Sequence, residues 1–388
     1  MRKTAAVLMG LICLAYLAGC GDSTTTATTT NYSVPTPIAK PYPAQLGGAV
    51  QTPLATTPSA ITATIGGGAG FSNISSAGGA TFNRPISVTT DGKNLYVADF
   101  LNNVIRQINI STQHVTTIAG NVAGLPGSVD GAGTAAYFNR PSAITTDGTY
   151  LYVTDSANFT IRRITISTGL VQVVAGAPGT AGSVDAVGGN ARFNAFNGIT
   201  TDGKNLYVSD SNNTIRRIVI DDWTVTTLAG APGTTGSADG SQAVARFNQP
   251  AGLTTDGANL YVADYANSTI RRIDLASGTV VTIAGKVGPG GAAGSHADST
   301  DGNGLSARFN QPTGITCDGL NLYVTDSYDN TVRKIAGPAG AVSGAVTTLF
   351  TNGAAADNTT FGITTDGVRL YLTDLSRDNL RHTIKYLE

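Results

Sequence analysis

The stretch Pro141-Ser142-Ala143-Ile144-Thr145-Thr146-Asp147-Gly148-Thr149-Tyr150-Leu151-Tyr152-Val153-Thr154-Asp155 reads as two short β-strands around an Asp-Gly turn. Its flanks are β-branched or aromatic, and Gly148 is free to adopt the positive φ that a tight hairpin needs. Moving outward, an Asn- and Ser-bearing loop leads to Ile161-Arg162-Arg163-Ile164. Thr168-Gly169 turns the chain, and Val171-Gln172-Val173-Val174-Ala175-Gly176 runs back. Four antiparallel strands, each beside its predecessor, make one small sheet.

The unit occurs six times, marked by Asp-Gly at Asp91, Asp147, Asp202, Asp256, Asp318 and Asp366, with spacings of 56, 55, 54, 62 and 48 residues. A period of that size holding several short strands indicates a β-propeller rather than a helical solenoid. Composition agrees: of 25 acidic residues only Glu388 is a glutamate, Met is scarce and Thr is plentiful, so strong helix formers are missing. Gly and Pro make up 63 of 388 residues, about 16%, below the level of a low-complexity chain. The sixth copy supplies three strands, while Ile61-Thr62-Ala63-Thr64-Ile65-Gly66 matches a fourth strand and has no sheet of its own. The expected fold is all-β, a six-bladed β-propeller of four-stranded antiparallel blades. The N-terminal strand pairs with the C-terminal blade and leaves no long open edge.

An Asp ends the second strand of every copy (Asp99, Asp155, Asp210, Asp264, Asp326, Asp374) and an Arg stands early in the third (Arg106, Arg162, Arg216, Arg271, Arg333, Arg381). Facing across a short loop, they are expected to form charge-assisted pairs that belong to the framework and not to catalysis. The next residue varies (Gln107, Arg163, Arg217, Arg272, Lys334, His382), as expected at a solvated or blade-edge position. Asp130, Asp185, Asp239 and Asp301 also recur and are expected to shape long loops by accepting backbone N–H bonds. Cys317 replaces a recurring Thr and is expected to be inert; Trp223 is expected to be partly exposed.

The repeat runs roughly Gly-rich loop, Arg-Phe-Asn-x-Pro, Gly-Ile-Thr-Thr-Asp-Gly, Leu-Tyr-Val-x-Asp-x-x-Asn, Ile-Arg-Arg-Ile and Val-Thr-Thr-x-Ala-Gly. Over residues 61–388 it resembles the NHL repeat family in its long bacterial form. The resemblance implies a rigid platform for ligands, used only sometimes as an enzyme. The sixth copy departs from the pattern, with Asn358-Thr359-Thr360-Phe361 in place of Arg-Phe-Asn-x-Pro.

Ahead of the repeats, Arg2 and Lys3 precede a nearly unbroken apolar run from Thr4 to Gly19, the pattern of a secretory signal peptide over residues 1–19. Leu17-Ala18-Gly19-Cys20 resembles the lipobox of bacterial lipoproteins, which implies acylation of Cys20 and attachment to a membrane through its acyl chains. Residues 20–60 read as the lipidated Cys and a Thr/Pro-rich linker, because six of the fifteen Pro and ten Thr fall between 21 and 60. The implied address is the bacterial cell envelope. The outer membrane is favoured over the inner, since Gly21 stands where an inner-membrane retention signal would place Asp. With Cys13 in the signal and Cys20 carrying lipid, Cys317 has no disulfide partner.

A net charge of −1 with evenly spread basic residues offers no counterion-releasing stripe, so nucleic acid is not an expected partner. Function is expected on the top face, where second-to-third strand loops and inter-blade connections gather above a rigid ring. The connection from Lys286 to Arg308 is the longest and carries His296, Asp298 and Asp301; Tyr265 and Tyr328 project beside it where other copies have Ser156 or Ser211. Tyr265, His296, Asp298, Asp301 and Tyr328 are therefore the candidate ligand contacts. Asp298, Asp301 and Asn303 could offer oxygens to calcium, though not at calcium-loop spacing; no other cofactor is expected. His114, His296 and His382 belong to separate blades and do not form a zinc set. The first strands, which line the channel, present no nucleophile with a base. The expected molecule is a monomeric, membrane-anchored exported lipoprotein, a non-catalytic binding or scaffold module for a protein, peptide or glycan. The alternative is an exported propeller enzyme, a lactonase-like hydrolase or lyase, with a metal in the central channel.

Overall fold

The structure, a computed structural model, describes residues 61–65, 72, 79–287, 299–337, 344–351, 358–376 and 382–387. These residues form six antiparallel sheets, the blades of a propeller. The innermost strands are Pro85–Thr90, Pro141–Thr146, Phe196–Thr201, Pro250–Thr255, Pro312–Cys317 and Asn358–Thr365. Later strands step outward, as Tyr150–Asp155, Thr160–Thr165 and Leu170–Ala175 do in blade two. Ile61–Ile65 pairs antiparallel with His382–Leu387, setting Ile65 opposite Ile384, so the expected closure is present. Two blades exceed four strands: Gly131–Ala132 adds to the outer strand of blade two and Gly302–Asn303 to that of blade five. Single bridges from Val187 to Thr224 and from Gly240 to Val280 make the equivalent contact in blades three and four. In these four blades the incoming connection covers part of the outer edge that would otherwise be free to pair.

Apolar faces of neighbouring blades pack against each other, as Tyr96, Ala98 and Ile105 of blade one do with Ile144, Leu151, Val153 and Ile164 of blade two. Burial of these side chains, at about 25 cal/mol per Å², supplies the main attraction between blades. The Asp-Gly turns are tied into the sheets. Gly148 has φ +85°, the Asp147 carboxylate accepts the N–H groups of Thr149 and Tyr150 at 2.8 and 2.7 Å, and the Tyr152 hydroxyl donates to it at 2.9 Å. The tyrosine-to-aspartate bond recurs in all six blades.

The Asp–Arg pairs are present in blades one to five, at 3.2, 2.9, 3.3, 2.7 and 3.1 Å, with both side chains fully buried. Arg162 shows the whole set. One terminal nitrogen donates to Asp155 and to the Tyr137 carbonyl, the other to Asp130 at 2.7 Å, and the guanidinium sits 5.0 Å from the centre of the Phe138 ring. Phe82, Phe193, Phe247 and Phe309 take the same place in the other blades, so the Phe of Arg-Phe-Asn is the cation's aromatic seat. Asp130, Asp185 and Asp239 do accept backbone N–H bonds, from Val173, Thr227 and Thr282, and each is also a second counter-ion for the buried Arg. Burial pushes the Asp264 carboxyl up to about 6, against the pull of Arg271, the Asn248 N–H and the Asn267 amide.

Blade six differs. Leu372 faces Lys385 as Val97 faces Arg106, so Lys385, rather than Arg381, occupies the arginine position, and it forms the ion pair with Asp374. Arg381 lies outside the described residues. The register is written in Thr383-Ile384-Lys385-Tyr386-Leu387, which parallels Thr160-Ile161-Arg162-Arg163-Ile164. His382 is accordingly not at the variable position after the Arg but at that of Asn103, and it is buried. Trp223 is also buried rather than partly exposed: it packs against Tyr152, with its ring 5.7 Å from the Arg163 guanidinium.

Candidate functional site

The residue before the first strand is held in left-handed backbone in four blades: Arg84, Arg140, Gln249 and Gln311 have φ of 53°, 57°, 54° and 58°. A side-chain-bearing residue adopts that conformation at a cost of about 1–2 kcal/mol, so its surroundings must hold it there. Clasps from the preceding blade do so for three of them. The Arg140 N–H donates to Asn103 Oδ1 at 2.8 Å, the Gln249 N–H to Asn213 Oδ1 at 2.9 Å, and the Arg84 N–H to His382 Nδ1 at 3.0 Å. In blade six the Thr360 hydroxyl donates to Asn330 Oδ1 at 2.8 Å. His382 thus plays the asparagine's part at the joint between the last blade and the first.

The six innermost strands enclose a channel of about 680 Å³. Blades three to six close tightly around it because they carry Gly198, Gly252, Gly314 and Gly362; a Cβ at Gly252 would lie 2.5 Å from the Thr313 carbonyl oxygen, and at Gly314 2.3 Å from that of Phe361. Blades one and two carry Ser87 and Ala143 at the matching register. Below this band the wall alternates an aliphatic ring (Val88, Ile144, Ile199, Leu253, Ile315, Ile363) with a threonine ring (Thr89, Thr145, Thr200, Thr254, Thr316, Thr364). None of these six hydroxyls is hydrogen-bonded within the described residues. Further up, side-chain hydroxyls already occupy inner-strand N–H groups: Thr154 takes that of Ala143, Thr325 that of Gly314 and Thr373 that of Gly362.

At the top, Arg84, Phe100, Arg140, Phe159, Gln249 and Tyr265 line the mouth. The two guanidinium groups are exposed and have no carboxylate partner among the described residues; that of Arg84 lies 5.9 Å from the Phe100 ring centre. Tyr265, an expected contact, is here, half-buried, with its hydroxyl donating to Gln311 Oε1 at 2.9 Å; burial pushes its phenol upward. Tyr328 is 55% exposed and does not line the channel. His296 and Asp298 lie outside the described residues. Asp301 has the framework role its recurrence implied: it pairs with Arg333 at 2.9 Å and accepts the Thr348 hydroxyl at 2.9 Å. Burial pushes its carboxyl up, but the bonds from Thr348 and Arg333 hold it below the ordinary range. The residues overlooked in the sequence are Arg84 and Arg140. Their signal was the break in the repeat, Arg before Pro in two copies and Gln in two others.

Among the described residues no three His, Cys, Asp or Glu side chains stand close enough to share a metal ion. The fold and the channel define a six-bladed β-propeller with a central cavity of mixed aliphatic and hydroxyl wall, open at one end to two arginines. No protein-family model matches the sequence. NHL repeat-containing protein 2 of Bos taurus is 35% identical over 160 residues, 37% of this chain and 22% of that protein. Its Gallus gallus counterpart is 26% identical over 284 residues, 66% of this chain and 38% of that protein. The chain spans about a fifth of the length of the first curated relatives it matches. A structural genomics protein of unknown function from Bacteroides thetaiotaomicron shares the fold, with a TM-score of 0.58 at 17% identity, covering 84% of this chain and 75% of that one. The chain is a six-bladed β-propeller whose repeats are similar to those of NHL repeat-containing proteins.

Proposed function

We propose that this protein is an exported bacterial lipoprotein, held to the cell envelope through Cys20, whose propeller binds a ligand at the channel mouth without transforming it. The observation that carries the reading is the make-up of the wall. Its side chains are hydroxyls, amides, aliphatics, aromatics and two guanidinium groups, with no carboxylate, imidazole or thiol lining it among the described residues. General acid–base or nucleophilic chemistry at neutral pH draws on such groups, whereas recognition needs only what is there. The partner is a protein, peptide or glycan of the envelope, reached by a ring standing off the outer membrane on the linker of residues 20–60. Metal analysis of the purified protein tests the non-catalytic part: a stoichiometric divalent ion would move the reading to the metal-dependent enzyme. Growth with an alkyne-bearing palmitate analogue tests the anchor. Wild type should label and Cys20→Ala should not; equal labelling removes the anchor.

A further inference from the structure

We infer that the channel mouth recognises an acidic oligosaccharide, a short chain of sugar rings bearing carboxylates. This rests on the binding reading above and names its ligand. Among the described residues, Arg84 and Arg140 are the only charged groups lining the cavity, so its electrostatic preference is for an anion. Guanidinium groups suit carboxylates because their fork matches two oxygens. Beside them stand Phe100, Phe159 and Tyr265, flat apolar faces of the kind that stack on the C–H side of a sugar ring. Deeper in, the threonine hydroxyls are left with bonds to make, and sugar hydroxyls are partners of the right chemistry.

A cavity of about 680 Å³ falls within the usual size for small-ligand sites and admits two or three sugar rings, not a folded partner. An acidic peptide fits less well. Strand addition would need free inner-strand N–H groups, and those of Ala143, Gly314 and Gly362 are already taken by threonine hydroxyls of their own blades. The site is also pre-formed, because the backbones of Arg84 and Arg140 are clasped by His382 and Asn103, so little main-chain ordering is left to oppose binding.

The test is calorimetric titration of the full-length protein in detergent with three probes: trigalacturonate, its neutral methyl ester, and the tripeptide Asp-Asp-Asp. Trigalacturonate should bind, more weakly as salt is raised, and the ester at least tenfold less tightly. The Arg84→Gln/Arg140→Gln double variant should lose at least tenfold in affinity for the acid trimer with an unchanged melting temperature. Equal binding of acid and ester, no binding of the acid trimer, or an unaffected double variant would overturn the inference. So would tri-aspartate binding as tightly as the trimer, which would make the mouth a peptide-carboxylate site. Each of these leaves the non-catalytic reading standing; that reading fails separately, on a stoichiometric metal.

Discussion

Two regions built from the same strands behave in opposite ways. Between the blades, the Asp, Arg and Phe of each unit repeat with almost no change through five blades, buried and mutually satisfied. At the channel mouth, positions separated from these by a few residues differ from blade to blade: Phe100, Ser156, Ser211, Tyr265 and Ser327 follow the same framework aspartate. Repetition marks what every blade needs in order to stand beside its neighbour. Variation around one opening marks what the ring as a whole presents, and under the proposed binding role a ligand on the axis would meet all blades at once.

The comparison predicts its largest effect at the buried arginines. Arg271→Leu leaves Asp264 without its cation in a site with no access to water, at a cost of about 3–5 kcal/mol in urea unfolding. Arg140→Gln at the mouth should stay within about 0.5 kcal/mol of wild type, because its guanidinium is exposed and unpaired among the described residues. Equal losses for the two would erase the distinction between frame and mouth.

A smaller effect separates the four tightly closed blades from the two more open ones. Gly252→Ala drives a methyl group to 2.5 Å from the Thr313 oxygen, and the two inner strands must part; overpacking of this kind costs about 1–3 kcal/mol. The reverse change, Ala143→Gly in blade two, should cost only the ~0.5–1 kcal/mol of added chain freedom. Smaller again is the joint between last and first blades. His382→Ala removes the acceptor of the Arg84 N–H, worth about 1 kcal/mol in thermal unfolding, and His382→Asn should restore most of it because Asn103 and Asn213 do the same work. If the asparagine variant is no better than the alanine one, His382 is not the equivalent of those asparagines.

The ring, its six blades and its closure were legible because they are written in local signals repeated at a fixed period: strand pairs, Asp-Gly turns and one strand without a sheet. Five of the six ion pairs were legible for the same reason. The sixth was not, because Arg381-His382 imitates the Arg-Arg of other copies while the pleat places Lys385 opposite Leu372; register is a property of pairing, and a shift of four residues keeps the same face. Asp301 carried two readings in the sequence, a recurring loop aspartate and a member of an exceptional loop. The long insertion precedes it, and the Asp itself repeats the role of Asp130, Asp185 and Asp239, as its recurrence implied. The mouth was least legible. Arg84 and Arg140 lie 56 residues apart and come to one opening only through the circular arrangement of blades, which no local pattern encodes.

The smallest effect belongs to Cys317, where the repeat has threonine in the other five blades. In its place the Sγ accepts the Gly319 N–H at 3.2 Å, as the Thr90 hydroxyl accepts that of Gly92 at 3.0 Å. Burial pushes the thiol up to about 11. Only the thiolate is alkylated, so iodoacetamide at neutral pH should modify native Cys317 about a hundredfold more slowly than the same thiol in urea. Cys317→Thr should change unfolding by less than about 0.5 kcal/mol, since it restores the group the turn uses elsewhere. Rapid alkylation of the folded protein, blocked by added trigalacturonate, would place this sulfur in the proposed site and break the division between frame and mouth from the frame's side.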